Sequence, residues 1–246
     1  MLGCGRARAE TRELGHELGP IAKLETPVRL RIAPLTGALR PKGYNECNPY
    51  CPLGLGPYAP FERVAIGKIM IPQKGGHTPD MGYDVVIHFH GGDAARKYLV
   101  QVARGVVLVT IDKGVGGGPY ARAVASADVF PILKKSIERA LQRHTGKKNA
   151  HIRHLALSAW SAGTVAVLKI LAQGHTGIDA VIVLDGLHGA WKRATNRGLD
   201  PSLIDARFIE REIALAERAR KGELTFVLTH TRVDPYVYPS TGSTAR

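Results

Sequence analysis

The 246-residue sequence lacks several features that would place it in a class at once. It has no apolar run close to the roughly 20 residues that span a bilayer, which argues against a transmembrane segment. It has only three cysteines, which excludes a small disulfide-rich scaffold. It also has no dense basic tract interleaved with aromatic residues, so we expect no nucleic-acid partner.

Acidic residues are also scarce relative to basic ones. The chain has 21 Asp and Glu against 34 Lys and Arg, which gives a formal net charge of +13. Such a charge favours an anionic substrate, an acidic polymer or an anionic surface as a partner. The 44% of hydrophobic residues is enough for a full core. Without internal repeats or low-complexity linkers, the sequence predicts one domain over residues 63–246 behind an irregular extension over residues 1–62.

The N-terminal extension carries two features of its own. Residues 28–32 alternate apolar and basic side chains, as a half-buried strand does. Cys47 and Cys51 bracket a turn-rich loop, where they can form a short disulfide or remain two reduced thiols. A disulfide would imply an oxidising compartment and hence export, but the sequence shows no complete signal peptide. The compartment therefore stays unassigned at this stage.

The rest of the chain alternates strand-like and helix-like segments. Such alternation favours a mostly parallel sheet with helices on both faces, whose functional site lies at the carboxyl ends of the strands. The strands are predicted at residues 64–71, 85–90, 106–111, 180–184 and 224–229, with another along the apolar run from Ile152 through Ser158. The helices are predicted at about residues 94–104, 126–143 and 205–221, with one more directly after Gly163.

The stretch from residue 151 to residue 174 contains the motif on which the prediction of function depends. An apolar run ends at small residues, and apolar residues at helical spacing then follow, so Ser161 lies at a sharp turn from strand to helix. This is the geometry of a nucleophile elbow, which needs small neighbours such as Ala159, Ala162 and Gly163. The alternative is an ordinary strand-to-helix junction with Ser161 as the helix N-cap. Ser158 is not the predicted nucleophile, because it lies inside the strand.

Two motifs give the chain a resemblance to a known family. The segments His88-Phe89-His90-Gly91-Gly92 and Ala159-Trp160-Ser161-Ala162-Gly163 resemble the α/β-hydrolase superfamily, and the likeness covers roughly residues 64–235. The family motif is Gly-x-Ser-x-Gly, and Ala159 replaces its first glycine. Residues 183–189 and 229–231 are also similar to a group of bacterial hydrolase-like proteins. The resemblance implies an α/β three-layer sandwich.

The resemblance also implies the groups that would stabilise an oxyanion. The backbone N–H after the nucleophile acts with one from a His-Gly-Gly loop, which corresponds here to Ala162 with Gly91 or Gly92. Each such donor stabilises the transition state by about 3 kcal/mol. The alternative interpretation of Gly91 and Gly92 is a tight turn between strand and helix.

The acid and the base follow less directly from the resemblance. Family order is serine, acid, histidine, which favours Asp185 as acid and His230 as base, with Asp234 and His188 as alternatives. In the family the histidine usually follows one more strand, whereas this sequence ends before such a strand. We therefore expect either a chain that is incomplete at its C-terminus, or a base supplied by His230 or His188, or a protein that is not a working hydrolase.

The sequence thus predicts a serine hydrolase that acts on a small ester or amide through an acyl-enzyme on Ser161. No cofactor is expected. No metal is expected either, because His88, His90, His188 and His230 do not have the spacing of a ligand motif. The alternatives are a non-catalytic binding protein of the same fold that lacks a competent histidine, and a cationic protein that binds acidic polymers.

Overall fold

The structure is a computed structural model that describes residues 55–192, 201–231 and 239–244. The predicted strand at residues 28–32, the Cys47/Cys51 pair and Asp234 lie outside the described residues. The domain boundary near residue 62 therefore stays a prediction.

A seven-stranded sheet forms the centre of the described chain. Its strands lie in the order β1-β2-β4-β3-β5-β6-β7. Strands β3 to β7 are mutually parallel, and β2 joins them antiparallel through β4. The strands are β1 Glu62–Arg63, β2 Lys68–Met70, β3 Gly82–Phe89, β4 Val107–Ile111, β5 His151–Trp160, β6 Ala180–Leu184 and β7 Thr225–Thr229.

The predicted strand over residues 64–71 is wrong in its extent. A turn closed by the Val64 N–H and the Gly67 carbonyl separates β1 from β2, and these two strands pair antiparallel. Gly67 has φ 112°, and a Cβ there would lie 2.3 Å from the Thr110 carbonyl oxygen. The glycine is therefore required where the turn approaches β4.

Helices cover both faces of the sheet, which confirms the predicted fold class. The long helix expected from residue 126 begins at Val129, and Gly146 ends it with φ 67°. The helix expected from Asp205 begins five residues later, because Asp205 instead caps a short 3₁₀ turn by accepting the Arg207 N–H. The helices are α1 Gly92–Val102, α2 Gly117–Ala123, α3 Val129–Thr145, α4 Thr164–Ala172, α5 Glu210–Arg220 and α6 Thr241–Thr244.

The two faces of the sheet are packed differently. Residues of α2, α3, α4 and α5 pack with the strands into the large core, which includes Ile87, Leu157 and Val183. A small second cluster lies on the other face, around Tyr58 and Leu108, and α1 contributes to it. None of the helices in the described ranges has the length and hydropathy needed to cross a membrane.

Candidate active site

The turn after β5 is a sharp strand-to-helix turn, the geometry that the prediction of a nucleophile elbow requires. Strand β5 ends at Trp160, residues Ser161–Gly163 form one 3₁₀ turn, and α4 begins at Thr164. Ser161 has φ 44°, a left-handed conformation that residues other than glycine rarely adopt. Such strain is typical of functional sites, and here it stands at the carboxyl edge of the parallel strands.

Small residues let strand and helix approach each other at this turn. A Cβ on Gly163 would lie 2.2 Å from the carbonyl oxygen of Phe89, which is closer than any side chain tolerates. Ala159 is fully buried and pairs in register with Phe89, so its methyl group fits where the family motif has glycine. The departure from the motif is therefore compatible with the elbow.

The loop between β3 and α1 is shaped by two left-handed residues, His90 at φ 71° and Gly91 at φ 75°. A Cβ on Gly91 would lie 2.7 Å from the ring of Trp160. The next amide, Gly92 N–H, donates a hydrogen bond to a carboxylate oxygen of Asp112 at 3.1 Å. The Gly92 N–H therefore already has a hydrogen-bond acceptor within the protein, and this bond stabilises the turn between β3 and α1.

His90 is held on two sides. Its Nδ1 lies 2.8 Å from the Tyr120 hydroxyl, and its ring stacks on Trp160 at 5.1 Å between centroids. The Tyr120 hydroxyl also accepts from the Lys113 N–H and donates to the Gly114 carbonyl, each at 3.1 Å. Because that hydroxyl has one proton, His90 Nδ1–H is the donor toward it, and the network fixes the loop beside Ser161.

Ser161 opens into a cavity of about 390 Å³. His188, one of the two candidate bases, lines this cavity together with Ser161 and Ala162. His90 and the glycine-rich stretch at Gly116 and Gly117 line the same space. The other lining residues are Val115 and Val165.

Asp185 and His230 are not among the residues that line the Ser161 cavity. Asp185 has φ 50°, and its carboxylate accepts hydrogen bonds from the Thr231 N–H at 3.0 Å and the Thr231 hydroxyl at 2.9 Å. This contact ties the end of β6 to the end of β7. The exposed His230 has its Nδ1 3.3 Å from the Thr231 carbonyl oxygen.

Sequence reasoning missed two parts of this region. It did not identify Tyr120 as the residue that anchors His90, although the tyrosine closely follows the glycine-rich stretch. It also set Ser158 aside, whereas the hydroxyl of Ser158 lies 2.9 Å from Nδ1 of His88. Within residues 55–192, 201–231 and 239–244, no group of three or more His, Cys, Asp or Glu is arranged to hold a metal ion.

Comparisons with known proteins give only distant structural likenesses. No family model and no curated protein matches the chain. The α/β hydrolase LAE6 from the metagenome of Lake Arreo, Spain, is 13% identical at a TM-score of 0.35, over 60% of this chain and 49% of that one. Enterochelin esterase from Shigella flexneri is 11% identical at a TM-score of 0.40, over 72% of this chain and 54% of that one.

The chain thus spans about half the length of these two hydrolases. At such identities and TM-scores the likeness says nothing about the chemistry of this chain. The fold assignment depends on the molecule's own features, which are the mostly parallel sheet, its helices on both faces and the strained turn at Ser161. Together these features give the chain an α/β-hydrolase-like fold.

Proposed function

We propose that the chain is a serine hydrolase that cleaves an ester or amide through an acyl-enzyme on Ser161. One observation carries the proposal: Ser161 has a left-handed backbone at a strand-to-helix turn and shares a cavity with a histidine. A serine that serves only as an N-cap has a β-region backbone, and its side chain accepts from an N–H of the helix. Ser161 instead has φ 44°, and the N-cap of α4 is Gly163, two residues further along.

In this proposal His188 is the base. Its imidazole takes the proton of the Ser161 hydroxyl as the oxygen attacks the substrate carbonyl, and then gives that proton to the leaving alcohol or amine. Water attacks the acyl-enzyme in the second half-reaction, with the same imidazole as base. We prefer His188 to His230 because His188 lines the Ser161 cavity. Asp185 acts by holding the strand end that precedes His188, through its bonds to Thr231.

The oxyanion donors are then the N–H groups of Ala162 and Gly91. Ala162 follows the nucleophile and lines the cavity. Gly91 is preferred to Gly92 because the Gly92 N–H already donates to Asp112. Fixed N–H donors stabilise the charge on the tetrahedral intermediate because they need no reorganisation during the reaction.

The cavity also limits the substrate. At about 390 Å³, with Val115 and Val165 in its wall, it fits a small acyl group. The net charge of +13 favours substrates that carry a negative charge at a distance from the scissile bond.

A second candidate function is a binding protein of the same fold without catalysis. The observation that favours it is that Asp185 is hydrogen-bonded to Thr231 while His230 does not line the Ser161 cavity, so the predicted acid and base are not assembled there. Such a protein would bind a carbonyl compound at the elbow without forming a covalent bond.

Labelling with a fluorophosphonate probe separates these two functions. The proposal predicts covalent labelling of the unmodified chain, complete loss of labelling in Ser161→Ala, and retention in Ser126→Ala, which removes an exposed hydroxyl. His188→Ala is expected to slow labelling at least 100-fold, and His230→Ala is expected to leave the rate unchanged. Folded protein that takes no label, or that is labelled equally in Ser161→Ala, would favour the binding protein.

A further inference from the structure

A second cavity of about 550 Å³ lies on the α1 side of the sheet. Apolar side chains of the three strands β3, β4 and β6 form its floor, and α1 supplies one wall with Ala95 and Tyr98. The floor residues are Val86, Leu108, Ile182 and Leu184. Among the described residues that line it, none carries a carboxylate, a guanidinium or an ammonium group. A charged ligand would therefore lose its hydration there without a counter-charge.

Two polar side chains converge on this apolar space. His88 and Ser158 are paired in register on β3 and β5, both line the cavity, and each is 4% exposed. The Nδ1 of His88 lies 2.9 Å from the Ser158 hydroxyl oxygen. Burial lowers the pKa of His88, although the His90 carbonyl and Asp112 oppose that shift. The pair is therefore neutral near pH 7.

The Ser158 hydroxyl can form a further hydrogen bond besides the one to His88. A serine hydroxyl has one proton and two acceptor lone pairs. If Ser158 donates to His88, both lone pairs remain, and if it accepts from His88, one lone pair remains. In either tautomer the Ser158 oxygen can accept a hydrogen bond from a ligand hydroxyl.

We propose that this cavity binds a small, neutral, mostly apolar molecule through a hydroxyl group that donates to Ser158. An apolar wall with a few convergent polar groups is the usual composition of small-molecule sites. The floor provides the apolar contact, and the Ser158–His88 pair orients the ligand.

This site adjoins the Ser161 cavity, since Gly91, whose N–H is a proposed oxyanion donor, also lines it, but the binding proposed here does not depend on hydrolase activity. Trp160 and Gly91 line the new cavity, whereas His90 lines the Ser161 cavity. The stacked rings of Trp160 and His90 therefore contact one cavity each. Trp160 is 44% exposed and one of two tryptophans, so in a Trp191→Phe background its fluorescence reports occupancy.

The test compares two probes of nearly equal shape on the Trp191→Phe chain. 2-Naphthol carries the hydroxyl donor, and 2-methoxynaphthalene has the same rings without it. We expect saturable quenching of Trp160 by both, with 2-naphthol binding roughly five- to tenfold tighter, as one hydrogen bond provides. Equal affinities, or no saturable binding of either probe, would overturn the proposal.

Variants then locate the site. Ser158→Ala is expected to abolish the preference for 2-naphthol and leave the affinity for 2-methoxynaphthalene unchanged. Ala95→Phe places a ring in the cavity and should weaken both probes, whereas Ala216→Phe on the exposed side of α5 should weaken neither. Binding that survives Ala95→Phe, or a stable dimer by light scattering that the same substitution dissociates, would assign the cavity to another role.

Discussion

Two serines three positions apart on one strand-and-turn segment have opposite environments. Ser158 is buried within β5, hydrogen-bonded to His88 and faced by an apolar cavity. Ser161 has a left-handed backbone one residue beyond the strand and opens into a cavity with His188 and two glycines. The residue type is the same, so the backbone conformation and the packing around it decide which of the two cavities each serine hydroxyl faces.

The comparison extends to the two faces of the sheet to which these serines belong. Leu157 is fully buried in the large core, whereas Leu184 is half-buried beside the Ser158 cavity. Leu157→Ala should lower the free energy of unfolding by roughly 2–5 kcal/mol, because it opens a void in a filled core. Leu184→Ala should lower it by about 1 kcal/mol, because its side chain already borders open space. Urea denaturation measures both, and equal losses would contradict the difference between the faces.

The sequence predicted the strands well because buried parallel strands are short continuous apolar runs. The bounds of β6 match residues 180–184 as predicted, and β4 and β7 each begin one residue later than predicted. β3 begins three residues before its predicted start, at Gly82. Two other errors arose where local chemistry interrupts a pattern. Gly67 turns the chain inside the apolar run of residues 64–71, and Asp205 caps a 3₁₀ turn where helical spacing had begun.

The candidate site was predictable only in part. Ser161, Ala162 and Gly163 are consecutive, so their arrangement follows from one local motif. The partners of Asp185 and His230 depend on how the ends of β6 and β7 meet, and spacing along the chain carries no information about Thr231. The pairing of His88 with Ser158 depends on the register of β3 against β5, which alternation within either strand does not fix.

The close approach at the elbow provides the next test. Gly163→Ala should cost roughly 1–3 kcal/mol of stability, because its Cβ would meet the Phe89 carbonyl oxygen and the backbone must move. Gly118→Ala is the matched control, since its Cβ would meet only the end of the Arg122 side chain at 3.4 Å. Thermal unfolding of the two variants checks this, and a neutral Gly163→Ala would mean that strand and helix are not in close contact.

The left-handed backbone at Ser161 should invert the usual order of stability, in which an alanine variant is more stable than a glycine variant. Ser161→Gly is expected to be about 1 kcal/mol more stable than Ser161→Ala, because glycine adopts φ 44° without a Cβ penalty. At Ser158, inside a strand, Ser158→Ala should instead be about 1 kcal/mol more stable than Ser158→Gly, since glycine loses more chain entropy on folding. Chemical denaturation measures the free energy of unfolding of the four variants. The same order of stability at both positions would mean that the backbone at Ser161 is not strained.

The smallest effect expected is a pH dependence on the Ser158 side. Because burial lowers the folded-state pKa of His88 below 6.5, the unfolded chain binds a proton there at pH values where the folded chain does not. The contribution of His88 to stability is therefore fully present above pH 6.5 and is lost as pH falls from 6.5 towards the lowered pKa. His88→Gln, which can still hydrogen-bond to Ser158, should flatten the dependence of unfolding free energy on pH in that window. If the unfolding free energy of His88→Gln depends on pH as steeply as that of the unmodified chain, His88 is hydrated in the folded protein. The cavity beside Ser158 would then be as polar as the Ser161 cavity.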